Sequence, residues 1–175
     1  VFTATGEDLE AVVGRLLRKR EETLAVAESC TGGFLGNRIT NIPGSSAYFL
    51  GGTVAYSNHA KQEFLGVPQK TILAHGAVSH QVARAMATGV RKRTGATYGL
   101  AITGIAGPQG GTPSKPVGLV YTALSWKGGA KIHKNLFLGN RNAVKFQSSQ
   151  KALDMLRRLL ISKSPEKKAK GTGRR

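Results

Sequence analysis

A serine stands where a short apolar run meets a cluster of small residues near the start of the chain. Residues 23–33 read Thr-Leu-Ala-Val-Ala-Glu-Ser-Cys-Thr-Gly-Gly, and a segment typical of a helix follows. This order predicts Ser29 at the carboxyl end of a strand, where α/β proteins tend to place their chemistry. The glycines allow the backbone to approach a ligand closely, and the N–H groups at a helix start attract anions.

A second cluster, at residues 56–61, reads Tyr-Ser-Asn-His-Ala-Lys. Such side chains are the usual helpers of a nucleophilic serine. Together the two clusters indicate nucleophilic acyl transfer on a small, negatively charged substrate. On spacing alone, Ser29 is more often a helix cap, Tyr56 a strand aromatic and Lys61 a solvated helix residue.

Carboxylates are scarce in the middle of the chain, where only Glu28 and Glu63 occur between Thr23 and Leu153. A Mg²⁺ or Ca²⁺ site needs several carboxylate oxygens, and glycosidase chemistry needs two facing carboxylates. The four histidines show no HxxxH spacing, and with one cysteine they do not resemble a zinc site. We therefore expect no metal and no other cofactor. We interpret the lone Cys30 as a small apolar filler.

Length and composition predict one folded domain. The chain has 175 residues, of which 40% are hydrophobic and 20% charged, so global disorder is excluded. No apolar run approaches the ~20 residues of a membrane helix, and no secretory signal is visible. Together with the single cysteine, this predicts a cytoplasmic protein without membrane contact.

The net charge of +17 predicts an anionic partner. That partner is either a nucleotide in a pocket or nucleic acid across a surface. Aromatic residues make up only 6% of the chain, which argues against a stacking platform, although a basic nucleic-acid-binding module stays an alternative. Lysine and arginine are concentrated at residues 162–175, so we predict a folded domain over 1–161 and a basic disordered tail over 162–175.

Hydrophobic periodicity and turn residues give the element order. They predict helices at 7–20, 31–40, 58–65, 79–94 and 140–161, and strands at 23–27, 47–56, 97–103, 117–126 and 131–138. Ser79 is the predicted N-cap of the fourth helix, and Gly128-Gly129 predicts a hairpin between the last two strands. Because strands and helices alternate before the hairpin, we predict a three-layer α/β/α sandwich with a mixed, mostly parallel sheet.

Six short segments occur in the order typical of one known family. They are ESCTGG at 28–33, PGSS at 43–46, YSNHAK at 56–61, GAVS at 76–79, TGIAGP at 103–108 and KPVG at 115–118. On these motifs the chain resembles the CinA C-terminal domain family over residues 7–160. The resemblance implies a nicotinamide-nucleotide amidase of pyridine nucleotide salvage, which converts nicotinamide mononucleotide to nicotinate mononucleotide and ammonia.

The resemblance also implies the catalytic roles. Ser29 would attack the carboxamide carbon, Lys61 would be the base, and Tyr56 would bridge or relay the proton. A neutral lysine is demanding, because lowering its pKa from near 10.4 to neutrality costs roughly 4 kcal/mol. Burial and neighbouring positive charge both act in that direction.

Further residues are implied on the substrate side. The expected substrate-binding residues are Glu28, Thr31, Gly32, Gly33, Ser46, Asn58, Thr103, Gly104 and Arg141. Thr103 and Gly104 would line the nucleotide pocket, and Arg141 would fork onto the phosphate. Ser46 would donate to the oxyanion or hold the substrate, and a role in stabilising its turn is about equally compatible with the sequence.

Two departures from the family pattern concern the phosphate. Asn140 stands where an aspartate is common, and Lys145 stands where an arginine is usual. The second change replaces a guanidinium, which can bind two phosphate oxygens at once, with the single positive charge of an ammonium group. They motivate a second alternative, a nucleotide-binding regulatory domain without turnover. For assembly we expect a homo-oligomer.

Overall fold

The computed structural model describes residues 6–163, so the predicted tail lies almost wholly outside the described residues. A five-stranded sheet forms the centre of the domain, in the order β2-β1-β3-β4-β5. Its strands are β1 (Leu24–Glu28), β2 (Phe49–Val54), β3 (Tyr98–Gly104), β4 (Leu119–Trp126) and β5 (Gly129–Leu136). The helices are α1 (Leu9–Arg20), α2 (Phe34–Thr40), α3 (Asn58–Leu65), α4 (Gln69–His75), α5 (His80–Thr94) and α6 (Arg141–Ser162), with a short 3₁₀ turn at Ser45–Ala47.

The sheet is mixed, as predicted. Strand β1 pairs in parallel with both β2 and β3, whereas β4 is antiparallel to β3 and to β5. The predicted hairpin is confirmed, since Trp126 of β4 pairs with Gly129 of β5. The two residues between them form a tight hairpin turn. Such turns favour a positive φ, and Gly128 has a φ of 91°.

Two helical layers cover the sheet and confirm the predicted α/β/α architecture. On one face, α1, α2 and α6 pack on large side chains that include Leu24, Val26 and Ile102. On the other face, α3, α4 and α5 pack on alanines that include Ala25, Ala27 and Ala101. Large and small residues alternate along β1 and so point to opposite faces of the sheet. The helices therefore lie farther from the sheet on the face with large side chains than on the face with alanines.

The alanine face brings α5 very close to the sheet. A Cβ built on Gly99 of β3 would lie 2.1 Å from the carbonyl oxygen of Ala87 in α5. A Cβ on Gly89 of α5 would lie 1.8 Å from the carbonyl oxygen of Leu65, at the end of α3. Only glycine fits at these two positions, and the contact at Gly89 fixes α3, the helix that carries Lys61.

Candidate active site

Ser29 follows β1 directly, at the carboxyl edge of the parallel part of the sheet. Its N–H donates to the Ile102 carbonyl of β3 at 3.0 Å, which fixes the residue beside the next strand. The chain leaves β1 through α2 on one face, and it leaves β2 through α3 on the other face. Such a reversal opens a crevice at the strand ends, so Ser29 lies where a doubly wound sheet binds ligands.

Lys61 projects from α3 toward the serine and is buried, with only 1% of its surface exposed. Its Nζ lies 3.1 Å from Ser29 Oγ and 2.9 Å from the carbonyl oxygen of Ala55. No carboxylate among residues 6–163 forms an ion pair with it. Burial lowers the pKa of Lys61 below its ordinary value, which favours the neutral amine that a general base must be.

Glu28 lies next to the nucleophile but is directed into the opposite layer. Its carboxylate accepts the N–H groups of Gly33 at 3.1 Å, Leu35 at 3.0 Å and Gly36 at 2.8 Å. These are donors from the start of α2 that the helix itself leaves unpaired. The buried carboxylate therefore anchors the segment after Ser29, and its expected substrate contact stays a prediction.

The glycines of this segment are required by their backbone conformation. Gly32 and Gly33 have φ values of 61° and 92°, in the left-handed region that side chains disfavour. Thr31 between Cys30 and Gly32 is fully buried, and its Oγ1 has no hydrogen-bond partner in the part of the chain that the structure describes. Substrate contact by these three residues stays a prediction.

Tyr56 lies on the rim of the site and is 62% exposed. Its hydroxyl accepts a hydrogen bond from Arg141 Nη2 at 3.0 Å, and Arg141 Nη1 donates to the Gly107 carbonyl at 2.8 Å. Arg141 thus comes from α6 and links two loops of the site. Within residues 6–163 no hydrogen bond joins Tyr56 to Ser29 or Lys61, so its proton relay stays a prediction.

Thr103 and Gly104 end β3, the strand beside Ser29. Thr103 is buried, and its Oγ1 donates to the Ala77 carbonyl at 2.9 Å. Gly104 has no room for a side chain, because a Cβ there would lie 2.6 Å from the Leu119 carbonyl oxygen. The structure therefore places both residues at the site edge, with local packing roles of their own.

The structure does not bring Ser46 to Ser29 within one chain. Ser46 lies in the 3₁₀ turn before β2, and Phe49 at the start of that strand pairs with Leu24 at the start of β1. It is therefore at the amino end of the sheet, opposite to the nucleophile. Asn58 is on the correct side, as the exposed first residue of α3.

Cys30 belongs to the apolar core beneath α1, α2 and α6, in agreement with its interpretation as a filler. Burial raises the pKa of its thiol to about 12, so the thiolate is not populated at neutral pH. The charges of Arg141 and Lys61 act to lower this pKa and that of Glu28 to raise it, although burial outweighs them. The ionisable side chains of Arg141, Lys61 and Glu28 therefore all lie near the segment that carries Ser29.

The two residues that depart from the family pattern make local contacts of their own. Asn140 caps α6, since its Oδ1 accepts the Ala143 N–H at 3.0 Å. The cap begins the helix at Arg141, so it positions the guanidinium that reaches Tyr56. The ammonium of Lys145 lies 5.9 Å from the centre of the Phe34 ring.

Several contacts of the site involve carbonyl oxygens that the sequence could not reveal. The oxygen of Ala55 holds Lys61, and the oxygen of Gly107 holds Arg141. Backbone carbonyls carry no residue-specific signal, so only the fold shows which of them face a side chain.

Among residues 6–163, no group of three or more His, Cys, Asp or Glu side chains is arranged to hold a metal ion.

A separate cleft of about 310 Å³ lies between α1, α2 and α6 and does not include Ser29. The guanidinium of Arg38 lines it and is already paired with Glu10 at 2.6 Å.

Among the described helices, none is both long and apolar enough to cross a bilayer.

The fold and site define a class: a three-layer α/β/α domain with a serine and a buried lysine paired at the carboxyl edge of its sheet. Residues 6–160 match the family model described as CinA C-terminal domain, and the chain belongs to that family.

Individual relatives agree with this assignment. A Moorella thermoacetica protein named as competence-damage inducible is 54% identical over 160 residues, which are 91% of this chain and 39% of that protein. The chain thus spans about two fifths of the length of such relatives. The crystal structure of the competence/damage inducible protein CihA from Agrobacterium tumefaciens has 38% identity and a TM-score of 0.83, covering 89% of this chain and 96% of its own. That of the competence damage-inducible protein A from Klebsiella pneumoniae has 33% identity and a TM-score of 0.86, covering 89% and 97%.

Proposed function

We propose that this chain is an amidohydrolase that converts nicotinamide mononucleotide to nicotinate mononucleotide and ammonia. The observation that carries the proposal is the 3.1 Å contact between the hydroxyl of Ser29 and the buried amine of Lys61. A hydroxyl beside an uncharged amine is a nucleophile with its base, the pairing that acyl transfer to serine needs. Membership of the CinA family supports the choice of this substrate.

The reaction follows from that pair in two halves. Neutral Lys61 takes the hydroxyl proton while Ser29 Oγ attacks the carboxamide carbon, and the carbonyl oxygen becomes an oxyanion. The ammonium of Lys61 then returns the proton to the amide nitrogen, the C–N bond breaks and ammonia leaves. In the second half, Lys61 takes a proton from water, the water oxygen attacks the acyl carbon, and Ser29 departs with that proton.

Arg141 is the proposed phosphate ligand. Its guanidinium is at the rim of the site and is held by two neutral acceptors, the Tyr56 hydroxyl and the Gly107 carbonyl. A phosphate dianion is a stronger acceptor than either of these. Binding of the phosphate therefore releases the Tyr56 hydroxyl, which then assists proton transfer at the reacting amide.

The test is release of ammonia from nicotinamide mononucleotide by the purified protein in the presence of EDTA. We expect turnover by the wild type and none by Ser29→Ala. Cys30→Ala is the matched control, since it changes the neighbouring side chain, whose thiol is buried and protonated. If Ser29→Ala releases ammonia at the wild-type rate, the proposal is wrong. Mononucleotide binding without product would instead favour a regulatory domain.

A further inference from the structure

Positive charge is unevenly distributed along the chain, and the proposed reaction uses little of it. The net charge is +17, and between residues 64 and 163 Asp154 is the only acidic residue, while lysine and arginine recur throughout. Among the cationic side chains, the proposed reaction assigns roles to Lys61 and Arg141 alone. A strongly basic surface attracts polyanions. Part of the remaining charge is gathered beside the outer strand β5.

Strand β5 is only partly covered on the side of the sheet where α6 lies. It is the last strand on its side of the sheet, and none of its residues is fully buried. Helix α6 packs over the neighbouring strand β4, where Thr122 Oγ1 donates to Met155 Sδ at 3.3 Å. Asn135 of β5 donates to the same hydroxyl at 3.2 Å. Because side chains alternate along a strand, Lys131 and His133 share this side with Asn135.

Positive side chains from β5 and α6 converge around His133. Burial lowers the pKa of this imidazole, and the charges of Lys151, Lys131 and Arg158 lower it further. Lys151 and Arg158 lie two helical turns apart on one side of α6, at a separation of roughly 10 Å. Lys127, in the turn before β5, extends the group to the end of the hairpin. These five residues are called the β5–α6 surface below.

Acidic groups compensate little of this charge. The carboxylate of Asp154 is shared by Arg157 at 2.7 Å and Arg158 at 2.6 Å, and the side chain of Arg158 stays 73% exposed. The three lysines of the surface form no ion pair within residues 6–163. The helix dipole accounts for cations in the last turns of helices, but not for lysines in a hairpin. The grouping therefore fits an anion from outside the chain.

We propose that the β5–α6 surface binds the phosphate backbone of double-stranded nucleic acid, independently of base sequence. A duplex carries one negative charge per about 1.7 Å of its axis, so a row of cations meets several phosphates at once. Single-strand binding relies on aromatic side chains that stack on bases. In the described part of the chain, the exposed aromatic residues lie elsewhere: on the site rim, on α3 and in the cleft beside α2 (Tyr56, Phe64 and Phe146).

A membrane surface also presents phosphates, but the β5–α6 surface lacks what membrane binding needs. Peripheral binding to lipid uses apolar side chains that enter the bilayer together with basic ones. The side chains that define this surface are all cationic or polar. The exposed Leu136 of β5 points to the other face of the sheet, by the alternation of the strand.

The surface is separate from the candidate active site. Ser29 follows β1, and β5 lies three strands farther across the sheet, about 14 Å away. Duplex binding therefore does not rest on the proposed amidase function, and it is tested without any assay of turnover.

Fluorescence anisotropy of a labelled 20-base-pair DNA duplex, titrated with the full chain, is the test. We expect binding at low salt, with affinity that falls steeply as salt is added. Lys127→Ala/Lys131→Ala should weaken binding at least about tenfold at low salt and reduce the slope of log affinity against log salt by about 2. A wild type that does not bind the duplex at low salt overturns the proposal.

The matched control is Lys70→Ala/Arg84→Ala. It removes the same charge from two exposed residues on α4 and near the start of α5, outside the β5–α6 surface. We expect its affinity and salt slope to stay near those of the wild type. Equal losses in the two double variants would show that only net charge matters, and the proposal would be wrong.

Residues 164–175 lie outside the described residues and are also basic, so their contribution is measured separately. Lys167→Ala/Lys168→Ala removes the same charge from that segment. If this variant loses duplex binding and Lys127→Ala/Lys131→Ala does not, the β5–α6 surface is not the binding site. Arg141→Ala should leave duplex affinity unchanged. A loss in Arg141→Ala as large as that in the hairpin variant would instead place the nucleic-acid phosphates at the Ser29 site.

The class of partner is tested with the same variants. A single strand of the same length, and vesicles of phosphatidylserine and phosphatidylcholine in equal amounts, should bind more weakly than the duplex. Vesicle binding that depends on Lys127 and Lys131 as strongly as duplex binding does would overturn the choice of nucleic acid. Thermal unfolding checks that each variant is folded, and melting temperatures near that of the wild type are expected for these exposed positions.

Discussion

Lys61 Nζ and Ser29 Oγ are 3.1 Å apart, and both side chains are almost completely withdrawn from solvent. Among residues 6–163 the partners of the amine are a carbonyl oxygen and a hydroxyl and include no carboxylate, so none of these partners carries a negative charge that would stabilise the ammonium form. An ion-paired lysine would stay charged at neutral pH. This one is placed where the uncharged form is favoured, and its hydroxyl partner is Ser29, which directly follows β1.

The first prediction concerns Lys61→Arg. A guanidinium does not lose its proton in proteins, so the variant cannot act as a base. We expect kcat/KM for nicotinamide mononucleotide to fall at least about 100-fold. For the wild type, kcat/KM should rise with pH, because protonated Lys61 is inactive, and the midpoint should lie below the ordinary pKa of a lysine. Full turnover by Lys61→Arg would exclude Lys61 as the base.

The second prediction concerns stability and Lys61→Met. Because the pKa of Lys61 is lowered in the folded state, the unfolded chain binds more protons between the folded and unfolded pKa values. The wild type therefore gains stability as pH rises through that window and loses it as pH falls. Lys61→Met removes this dependence. We therefore compare the melting temperature of Lys61→Met with that of the wild type at each pH. The difference, variant minus wild type, should be largest at low pH and should decrease toward pH 10.

The measurement is thermal unfolding at several pH values, with Lys70→Met as the control. Lys70 is an exposed lysine at the start of α4, so its removal should leave the pH dependence intact. A difference between wild type and Lys61→Met that does not change with pH would show that Lys61 has the same pKa folded and unfolded.

Most of the fold could be predicted from the sequence because its signals are local. The apolar spacing of α1 and α5, the N-cap at Ser79 and the glycine turn after Trp126 are confirmed. The sequence pattern does not predict helix α4, since its seven residues bury only Ile72 and its start is marked by Pro68 rather than by a capping side chain. Helix α2 begins at Phe34 instead of Thr31, because Gly32 and Gly33 adopt left-handed conformations.

The site was predictable in its residue types more than in its connections. The pairing of Ser29 with Lys61 spans 32 positions of sequence and needs α3 to pack beside β1. The bond from Arg141 to Tyr56 spans 85 positions and needs α6 to return to the same edge. Ser46 lies before the amino end of β2, whereas Ser29 follows the carboxyl end of β1. This separation follows from the parallel pairing of the two strands, which a motif does not encode.

The third prediction concerns Glu28, whose carboxylate accepts three N–H groups from the start of α2. Glu28→Ala leaves these donors without an acceptor in a buried place. We expect the free energy of unfolding to fall by at least about 2 kcal/mol. Glu28→Gln keeps acceptor oxygen but not the charge, so its loss should be smaller. Chemical denaturation measures both, with the exposed Glu63→Gln expected to stay near wild type. Equal stability of Glu28→Ala and wild type would show that the carboxylate does not anchor α2.

The fourth prediction separates Arg141 from Tyr56, which share one hydrogen bond. Arg141 is the proposed phosphate ligand, so Arg141→Ala should act mainly on binding. Loss of charge-assisted hydrogen bonds predicts a rise in KM of about 10- to 100-fold. Arg158→Ala is the matched control, since it removes an exposed arginine near the other end of the same helix. Tyr56→Phe removes only a hydroxyl.

Because the proposed role of that hydroxyl is proton transfer after the phosphate has engaged Arg141, Tyr56→Phe should lower kcat by about tenfold or more and leave KM nearly unchanged. Steady-state kinetics with nicotinamide mononucleotide distinguish the two effects. Nicotinamide riboside, which lacks the phosphate, adds a second comparison: Arg141→Ala should lose little activity toward it, since there is no anion to bind. If Tyr56→Phe instead raises KM in parallel with Arg141→Ala, then Tyr56 only holds the arginine, and proton transfer rests on Lys61 alone.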